Sequence, residues 1–128
     1  MPDTKFREVA GSLRSGVAGT KAVIWIGQNG EVSEYLAADP DFDFATFTAE
    51  YTTLLRIARM TSEDTGSGEL SEHISVSDRS ITIARSFSAG FYLILVTDVH
   101  AQLGRARYEL KLATRRLDQT VRRSKTGQ

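Results

Sequence analysis

The stretch Phe91-Tyr-Leu-Ile-Leu-Val96, with its counterpart Ala22-Val-Ile-Trp-Ile26, decides the fold class of this chain. Both runs are apolar at every position, so neither face of either segment can be left in water. Runs of about five or six residues are too short for a typical helix or for a membrane span, and their β-branched and aromatic side chains favour extended structure. We therefore predict two central strands in a sheet that helices cover on both faces.

Length and composition limit how the chain can be organised. With 128 residues and 41% apolar content, residues 1–128 fit one domain, with a core over about residues 4–121 and a frayed basic tail at 122–128. The absence of cysteine excludes a disulfide, a thiolate metal site and a cysteine nucleophile. The first residues mix charges and do not form a secretory signal, so we expect a cytoplasmic protein that is not integral to a membrane.

Charge is segregated along the chain although the formal net charge is zero. Residues 100–128 hold eight Lys and Arg against two acidic residues, and residues 1–99 hold eight against fourteen. A basic segment can serve nucleic acid or an acidic membrane surface. Aromatic residues are not interleaved with these cations apart from Tyr108, so a solvated helix face is the simpler interpretation and no nucleic-acid partner is expected.

Apolar residues at helical spacing predict three helices. The first starts at Asp3 or Thr4 and carries Phe6, Val9, Ala10, Leu13 and Val17; the second runs from about Asp43 to about Asp64; the third is capped by Thr97 or Asp98 and carries Leu103, Ala106, Leu110, Ala113, Leu117 and Val121. The core face of the second helix is predicted to comprise Phe44, Phe47, Tyr51, Leu54, Leu55 and Ala58.

The opposite side of the second helix carries small residues and could accept a second helix at close range. These residues are Ala45, Ala49, Thr52 and Thr53, with Arg56, Arg59 and Met60 nearby.

A hairpin is predicted between the first two helices. The strands cover residues 20–27 and 31–37, and Asn29-Gly30 suits a two-residue turn in which both central residues have positive φ. If Gln28 faces Glu31, the same register places Ile24 opposite Tyr35 and Val23 opposite Leu36, so both faces of the hairpin carry apolar residues.

Three further strands are predicted as a meander. Residues 70–77 form an edge strand, with Leu70, Ile74 and Val76 on one side and Ser71, His73 and Ser75 on the other; residues 79–87 follow, and residues 88–90 turn into the second apolar run. Keeping both apolar strands central and each hairpin intact gives a five-stranded antiparallel sheet of order 2-1-5-4-3, an α+β fold. The third strand is then an open edge, which predicts pairing with a second copy in a homodimer.

Several short motifs occur in a set order between about residues 4 and 121. They are Gly16-Val-Ala-Gly19 before the first apolar strand, Asn29-Gly30 at the hairpin, Gly66-Ser-Gly68 after the second helix, and Asp98 followed by Leu103-Gly104-x-x-Arg107. This ordered set resembles the roadblock family of dynein light-chain-like domains, especially the bacterial MglB-like members. Gly104, inside a helix, predicts close packing against a neighbouring element.

The resemblance implies a dimer whose third strands join into one sheet and whose second helices lie side by side. In MglB-like members such a dimer binds a GTP-loaded small Ras-like GTPase and promotes hydrolysis by arranging the GTPase's own catalytic residues, without inserting an arginine. Other members are scaffolds. The implied partners are therefore a second copy of the chain and a small Ras-like GTPase.

Residues that could support an enzyme are few. His73 and His100 are the only histidines, and no catalytic or metal-binding motif surrounds either, so we predict no enzyme, no metal and no cofactor. Trp25 is predicted to lie in the core and not in a ligand site. Arg56 and Arg59 could act as arginine fingers in trans, but solvated helix arginines are common and the resemblance argues against this role.

The leading hypothesis is a homodimeric interaction module that binds a small Ras-like GTPase as an activator or a scaffold. One alternative is a monomeric sensor similar to profilin-like or PAS-like domains; another is a signalling-operon adaptor without GTPase activation. The candidate interface residues are Ala45, Ala49, Thr52, Thr53, Arg56, Arg59, Met60, Ser71, His73 and Ser75.

Overall fold

The computed structural model describes residues 2–88 and 90–126, with side chains for 5–88 and 90–121. In chain order the elements are α1 (Pro2–Gly16), β1 (Thr20–Ile26), β2 (Val32–Ala37), α2 (Phe44–Asp64), β3 (Glu72–Val76), β4 (Ser80–Phe87), β5 (Phe91–Asp98) and α3 (Leu103–Thr126). Within these residues the strands form one sheet of order β2-β1-β5-β4-β3, antiparallel throughout. The predicted fold class and strand order are confirmed.

The two apolar runs lie at the centre of the sheet, as predicted. Every residue in 22–26 and 92–96 is at most 6% exposed, because helices cover both faces. Side chains alternate along a strand. Val23, Trp25, Leu93 and Leu95 therefore pack under α1 and α3, while Ile24, Ile26, Tyr92 and Ile94 pack under α2.

The helices α1 and α3 share one face of the sheet. The predicted apolar residues of α1 are buried, as are Ala106, Leu110, Ala113 and Leu117 of α3; Val121 is half-buried, and Leu103, also predicted for this face, is exposed. The helix bounds differ from the prediction at the start of α1 and at the start of α3. The first helix already begins at Pro2, before the predicted caps at Asp3 and Thr4. The side chains of the predicted basic tail at 122–128 lie outside the described residues.

The predicted start of α3 at Thr97 or Asp98 is wrong. Asp98 is the last residue of β5, and α3 begins only at Leu103. The Asp98 carboxylate instead accepts a hydrogen bond from the His100 backbone N–H at 2.8 Å, which shapes the turn that connects the strand to the helix. The predicted close packing of Gly104 against a neighbouring element is not found among the described residues, because none of their atoms beyond the local helix backbone lies within 4 Å of the position that a Cβ would occupy there.

The turn between β1 and β2 differs from the predicted two-residue turn. Of its residues only Gly30 has a positive φ, at 85°; its N–H donates to the Gly27 carbonyl at 3.1 Å, and the Gly27 N–H donates to the Glu31 carbonyl at 2.8 Å. The longer loop is compensated by a register shift between Trp25 and Ile26. The predicted strand pairs, Ile24 with Tyr35 and Val23 with Leu36, are therefore confirmed although the turn was wrong.

The second helix starts and ends as predicted. Asp43 caps it by accepting a hydrogen bond from the Thr46 N–H at 3.1 Å, and the same contact lowers the pKa of Asp43. Tyr51 and Leu55 are buried, and Phe44, Phe47 and Ala58 are half-buried. Leu54 does not belong to this core face, because it is 45% exposed. Viewed down the helix axis, Leu54 lies about 80° from the mean direction of the buried residues Tyr51 and Leu55.

The edge strand β3 presents its apolar side to solvent. Ile74 is 36% and Val76 is 63% exposed, because α3 lies over β4 and β5 and leaves β3 beyond its edge. Leu70 does not share their side as predicted: it packs into the cluster under α2. His73, on the predicted polar side, is half-buried against α2.

Candidate interaction surface on α2 and β3

The solvent side of α2 is apolar and uncharged over most of its length. Viewed down the helix axis, the buried side of α2 is given by the mean direction of Tyr51 and Leu55. Four residues lie within about 40° of the opposite direction: Ala49, Thr53, Ile57 and Met60. All four are exposed, Ile57 by 53% and Met60 by 54%. We call these four residues the outer face of α2. Their spacing of three to four residues is typical of a helix that packs against another helix.

Thr52 and Thr53 of α2 present their methyl groups to the surface, because their hydroxyls are hydrogen-bonded within the helix. Thr53 Oγ1 donates to the Ala49 carbonyl at 3.3 Å, and Thr52 Oγ1 donates to the Thr48 carbonyl at 2.7 Å. A hydroxyl satisfied within its own helix can be covered at lower cost than one that loses a water molecule. The outer face is therefore suited to burial.

The structure divides the residues of α2 predicted for the interface into two groups. Ala45, Ala49, Thr53, Arg56 and Met60 are exposed, whereas Thr52 and Arg59 are half-buried. Thr52, Thr53, Arg56 and Arg59 line a cleft beside the β1–β2 turn. Sequence reasoning missed Ile57 and the exposure of Leu54. The missed signal at Ile57 was its position four residues after Thr53 and three before Met60.

The strand β3 pairs only with β4, so its second edge is open among the described residues. Of the predicted polar residues, Ser71 is exposed, and Ser75 and His73 are half-buried. A hydrogen bond of 3.1 Å joins His73 Nδ1 to the Tyr51 hydroxyl of α2. Burial raises the pKa of Tyr51, so this hydroxyl is neutral at all ordinary pH values. The bond links the edge strand to the helix that carries the outer face.

On its other face, β3 is held by an ion-pair network that the sequence pattern did not reveal. Glu72 Oε1 accepts hydrogen bonds from Arg107 Nε at 3.0 Å and Nη2 at 2.7 Å, while Oε2 lies 3.4 Å from Arg85 Nη1. The carboxylate raises the pKa of Arg107, first through these hydrogen bonds and then through its charge. One acidic residue thus connects β3 to both β4 and α3.

The remaining candidate residues do not form a chemical site. His100 lies in the exposed turn before α3, and within the described ranges no group of three or more His, Cys, Asp or Glu side chains is placed to hold a metal ion. Trp25 lies in the core as predicted, 5.8–6.3 Å from the rings of Phe6, Phe87 and Phe91. No helix in the described part of the chain is both long and apolar enough to span a bilayer.

A sheet of this order with α1 and α3 on one face and α2 on the other defines the roadblock/LC7 fold, and comparison with solved structures agrees. MglB from Myxococcus xanthus is 17% identical and covers 93% of this chain and 96% of its own, with a TM-score of 0.82. A roadblock/LC7 domain from Streptomyces avermitilis is 16% identical, with a TM-score of 0.77, covering 89% of this chain and 95% of its own.

A further MglB structure, described as having a tetrameric arrangement, is also similar to this chain. It is 17% identical and covers 92% of this chain and 88% of its own, with a TM-score of 0.81. No protein-family model and no curated protein matches the sequence. At these identities the comparisons establish the fold of the chain.

Proposed function

We propose that this chain forms a homodimer through α2 and β3 and, as a dimer, binds and regulates a small Ras-like GTPase. The observation that carries the proposal is the combination of the uncharged outer face of α2 with the open edge of β3. Each feature favours association, and the Tyr51–His73 hydrogen bond holds the two in a fixed relation. A single subunit leaves both uncovered.

Both features fit one two-fold axis. If β3 pairs antiparallel with its own copy, the axis runs through the middle of the new strand pair. The α2 helices then lie on the same face of the joined sheet and on either side of the axis, where the flanks of their outer faces can meet. Burial of exposed Ile57 and Met60 contributes about 1.5–3 kcal/mol per side chain.

The regulatory part of the proposal rests on the family resemblance. Paired α2 helices create one continuous platform, and the roadblock/LC7 fold found here is the fold of the MglB proteins named above. Hydrolysis would be stimulated by ordering residues of the GTPase itself, since the resemblance implies no inserted arginine. The chain acts as a scaffold if it binds the GTPase without changing its rate.

The test uses the small Ras-like GTPases of the organism that encodes this protein. Binding is measured by calorimetry with the GTPase loaded with a non-hydrolysable GTP analogue or with GDP, and single-turnover hydrolysis is measured with and without this protein. We expect binding that favours the GTP form. A faster hydrolysis identifies an activator, and an unchanged rate identifies a scaffold. Absence of binding to either form contradicts the proposed function.

A further inference from the structure

A cleft of about 370 Å³ lies between α2 and the β1–β2 turn. Thr52, Arg56 and Arg59 line it from α2, Tyr92 lines it from β5, and residues 27–30 close it on the opposite side. Arg56 and Arg59 are three residues apart on the helix, so their side chains lie on neighbouring positions of one face. The cleft borders the outer face of α2.

Neither guanidinium group in the cleft has a carboxylate partner in the part of the chain that the structure describes. The ion pairs found among the described residues involve Arg85, Arg105, Arg107 and Arg116, and no acidic oxygen lies within 4.0 Å of Arg56 or Arg59. Burial raises the pKa of Tyr92, the charge of Arg59 lowers it, and the charges of Glu69 and Glu63 add to the increase. Neither carboxylate forms an ion pair with Arg56 or Arg59 among the described residues. Two cationic donors therefore remain open for a ligand.

Arg59 is held in position by an aromatic ring. Its guanidinium lies 5.5 Å from the centroid of the Tyr92 ring, and the Tyr92 hydroxyl donates to the Leu70 carbonyl at 2.9 Å, which fixes the ring. A cation over an aromatic face loses less freedom when it binds a second group. The half-buried Arg59 is thus oriented before any partner arrives.

The β1–β2 turn contributes few donors of its own. The N–H groups of Gly27 and Gly30 bond to carbonyls within the hairpin, and the Asn29 N–H donates to the Glu31 carboxylate at 3.0 Å. Phosphate sites commonly rely on free backbone N–H groups that point at the anion. With these three N–H groups engaged, Arg56 and Arg59 are the charged donors of the cleft. Their paired N–H groups fit a carboxylate or a phosphate, and a carboxylate is the anion that the side chains of a docking protein supply.

We infer that the cleft receives a carboxylate side chain from the partner protein that docks on α2. The inference rests on the proposed function, because the cleft adjoins the platform on which the GTPase would bind. Charge complementarity selects an acidic segment of that partner. Arg56 and Arg59 then act as specificity-determining residues in binding.

The first experiment compares the affinity of the GTPase for three forms of this protein. Arg56→Gln combined with Arg59→Gln removes both charges from the cleft, and Arg115→Gln, at an exposed position on the opposite face of the sheet, is the matched control. We expect the double variant to bind at least about tenfold more weakly and with a smaller salt dependence, as expected when charge-assisted hydrogen bonds are lost. Equal losses in the control and the double variant overturn the inference.

The second experiment remains decisive even when no GTPase binds. Amide chemical shifts are followed while a six-residue glutamate peptide, its glutamine counterpart or inorganic phosphate is added to the ¹⁵N-labelled protein. We expect the glutamate peptide alone to shift Gly27, Gly30 and Tyr92, and we expect this response to vanish in the double variant. An equal response to phosphate, or a response that survives in the double variant, contradicts a carboxylate site while leaving the proposed function untouched.

Discussion

At the scale of single residues, Glu72 joins three elements of the fold. Its side chain is only 13% exposed and contacts arginines from β4 and α3. Most surface ion pairs contribute little to stability, because solvent screens them and two long side chains must be ordered. A carboxylate that is largely covered and serves two arginines is better placed to stabilise the edge strand.

We predict that Glu72→Gln lowers the thermal unfolding midpoint more than Glu8→Gln does. Glu8 is the matched control, since its side chain is 58% exposed and lies 3.6 Å from a single arginine, Arg116. The glutamine at position 72 keeps the shape of the side chain but loses its charge, so the two arginines remain without their shared partner. Equal midpoints for the two variants, measured by circular dichroism, would show that the network adds nothing to stability.

We predict that Ala49→Glu converts the protein to a monomer. A carboxylate at the N-terminal end of the outer face would be buried without a partner in the proposed dimer, at a cost of several kcal/mol. Light scattering should report the subunit mass of 14.1 kDa for this variant and twice that mass for the native protein. Ala18→Glu, at an exposed position between α1 and β1, is the control and should remain a dimer. A dimeric Ala49→Glu variant would remove this face from the interface.

At the scale of elements, the hydrogen bonds between β3 and β4 show which backbone groups of β3 are available to pair with another strand. Ser77 N–H donates to the Ser80 carbonyl, and Ser86 N–H donates to the Ser71 carbonyl. Bonded and non-bonded residues alternate along an antiparallel strand. The backbone groups of Glu72, Ile74 and Val76 therefore point away from β4 and form the open edge.

We predict that Ile74→Pro prevents dimer formation while β3 stays paired with β4. Proline removes an N–H from the open edge but none from the existing ladder. Ile74→Ala is the matched control, because it shortens the same side chain and keeps the N–H. Sedimentation velocity should show a monomer for the proline variant and a dimer for the alanine variant, and a dimeric proline variant would rule out edge-to-edge pairing through β3.

At the scale of the whole molecule, the chain covers one sheet face with two helices and the other with one. The single helix α2 exposes three large apolar side chains, Leu54, Ile57 and Met60. These side chains are on α2, and the open edge belongs to β3, the strand that α2 contacts through the Tyr51–His73 hydrogen bond. The proposed dimer covers both features with one symmetric contact, which ties folding to association.

We predict that the unfolding midpoint of the native protein rises with its concentration. Dissociation accompanies unfolding of a dimer, so a tenfold higher concentration adds about 1.4 kcal/mol and raises the midpoint by about 2–5 °C. The Ala49→Glu variant should show a constant midpoint over the same range in differential scanning fluorimetry. A concentration-independent midpoint for the native protein would contradict coupling between folding and association.

The sequence by itself determined the central strands, the helix positions and the strand order. Uninterrupted apolar runs such as 91–96 must be buried on both faces, and helical periodicity and an N-cap such as Asp43 are local signals. The same local reasoning placed Ala49 and Thr53 opposite the core face of α2, but it also placed Thr52 there, which is half-buried beside the cleft.

Only the tertiary structure decided which of these residues share a surface. The extent of α3 left Ile74 and Val76 in solvent, and the register shift at Trp25 absorbed a turn that differed from the predicted one. The Glu72 network and the cleft of Arg56 and Arg59 join residues from separate elements. Such contacts depend on how the helices and the sheet pack. A local sequence pattern does not predict which residues of separate elements come within contact distance.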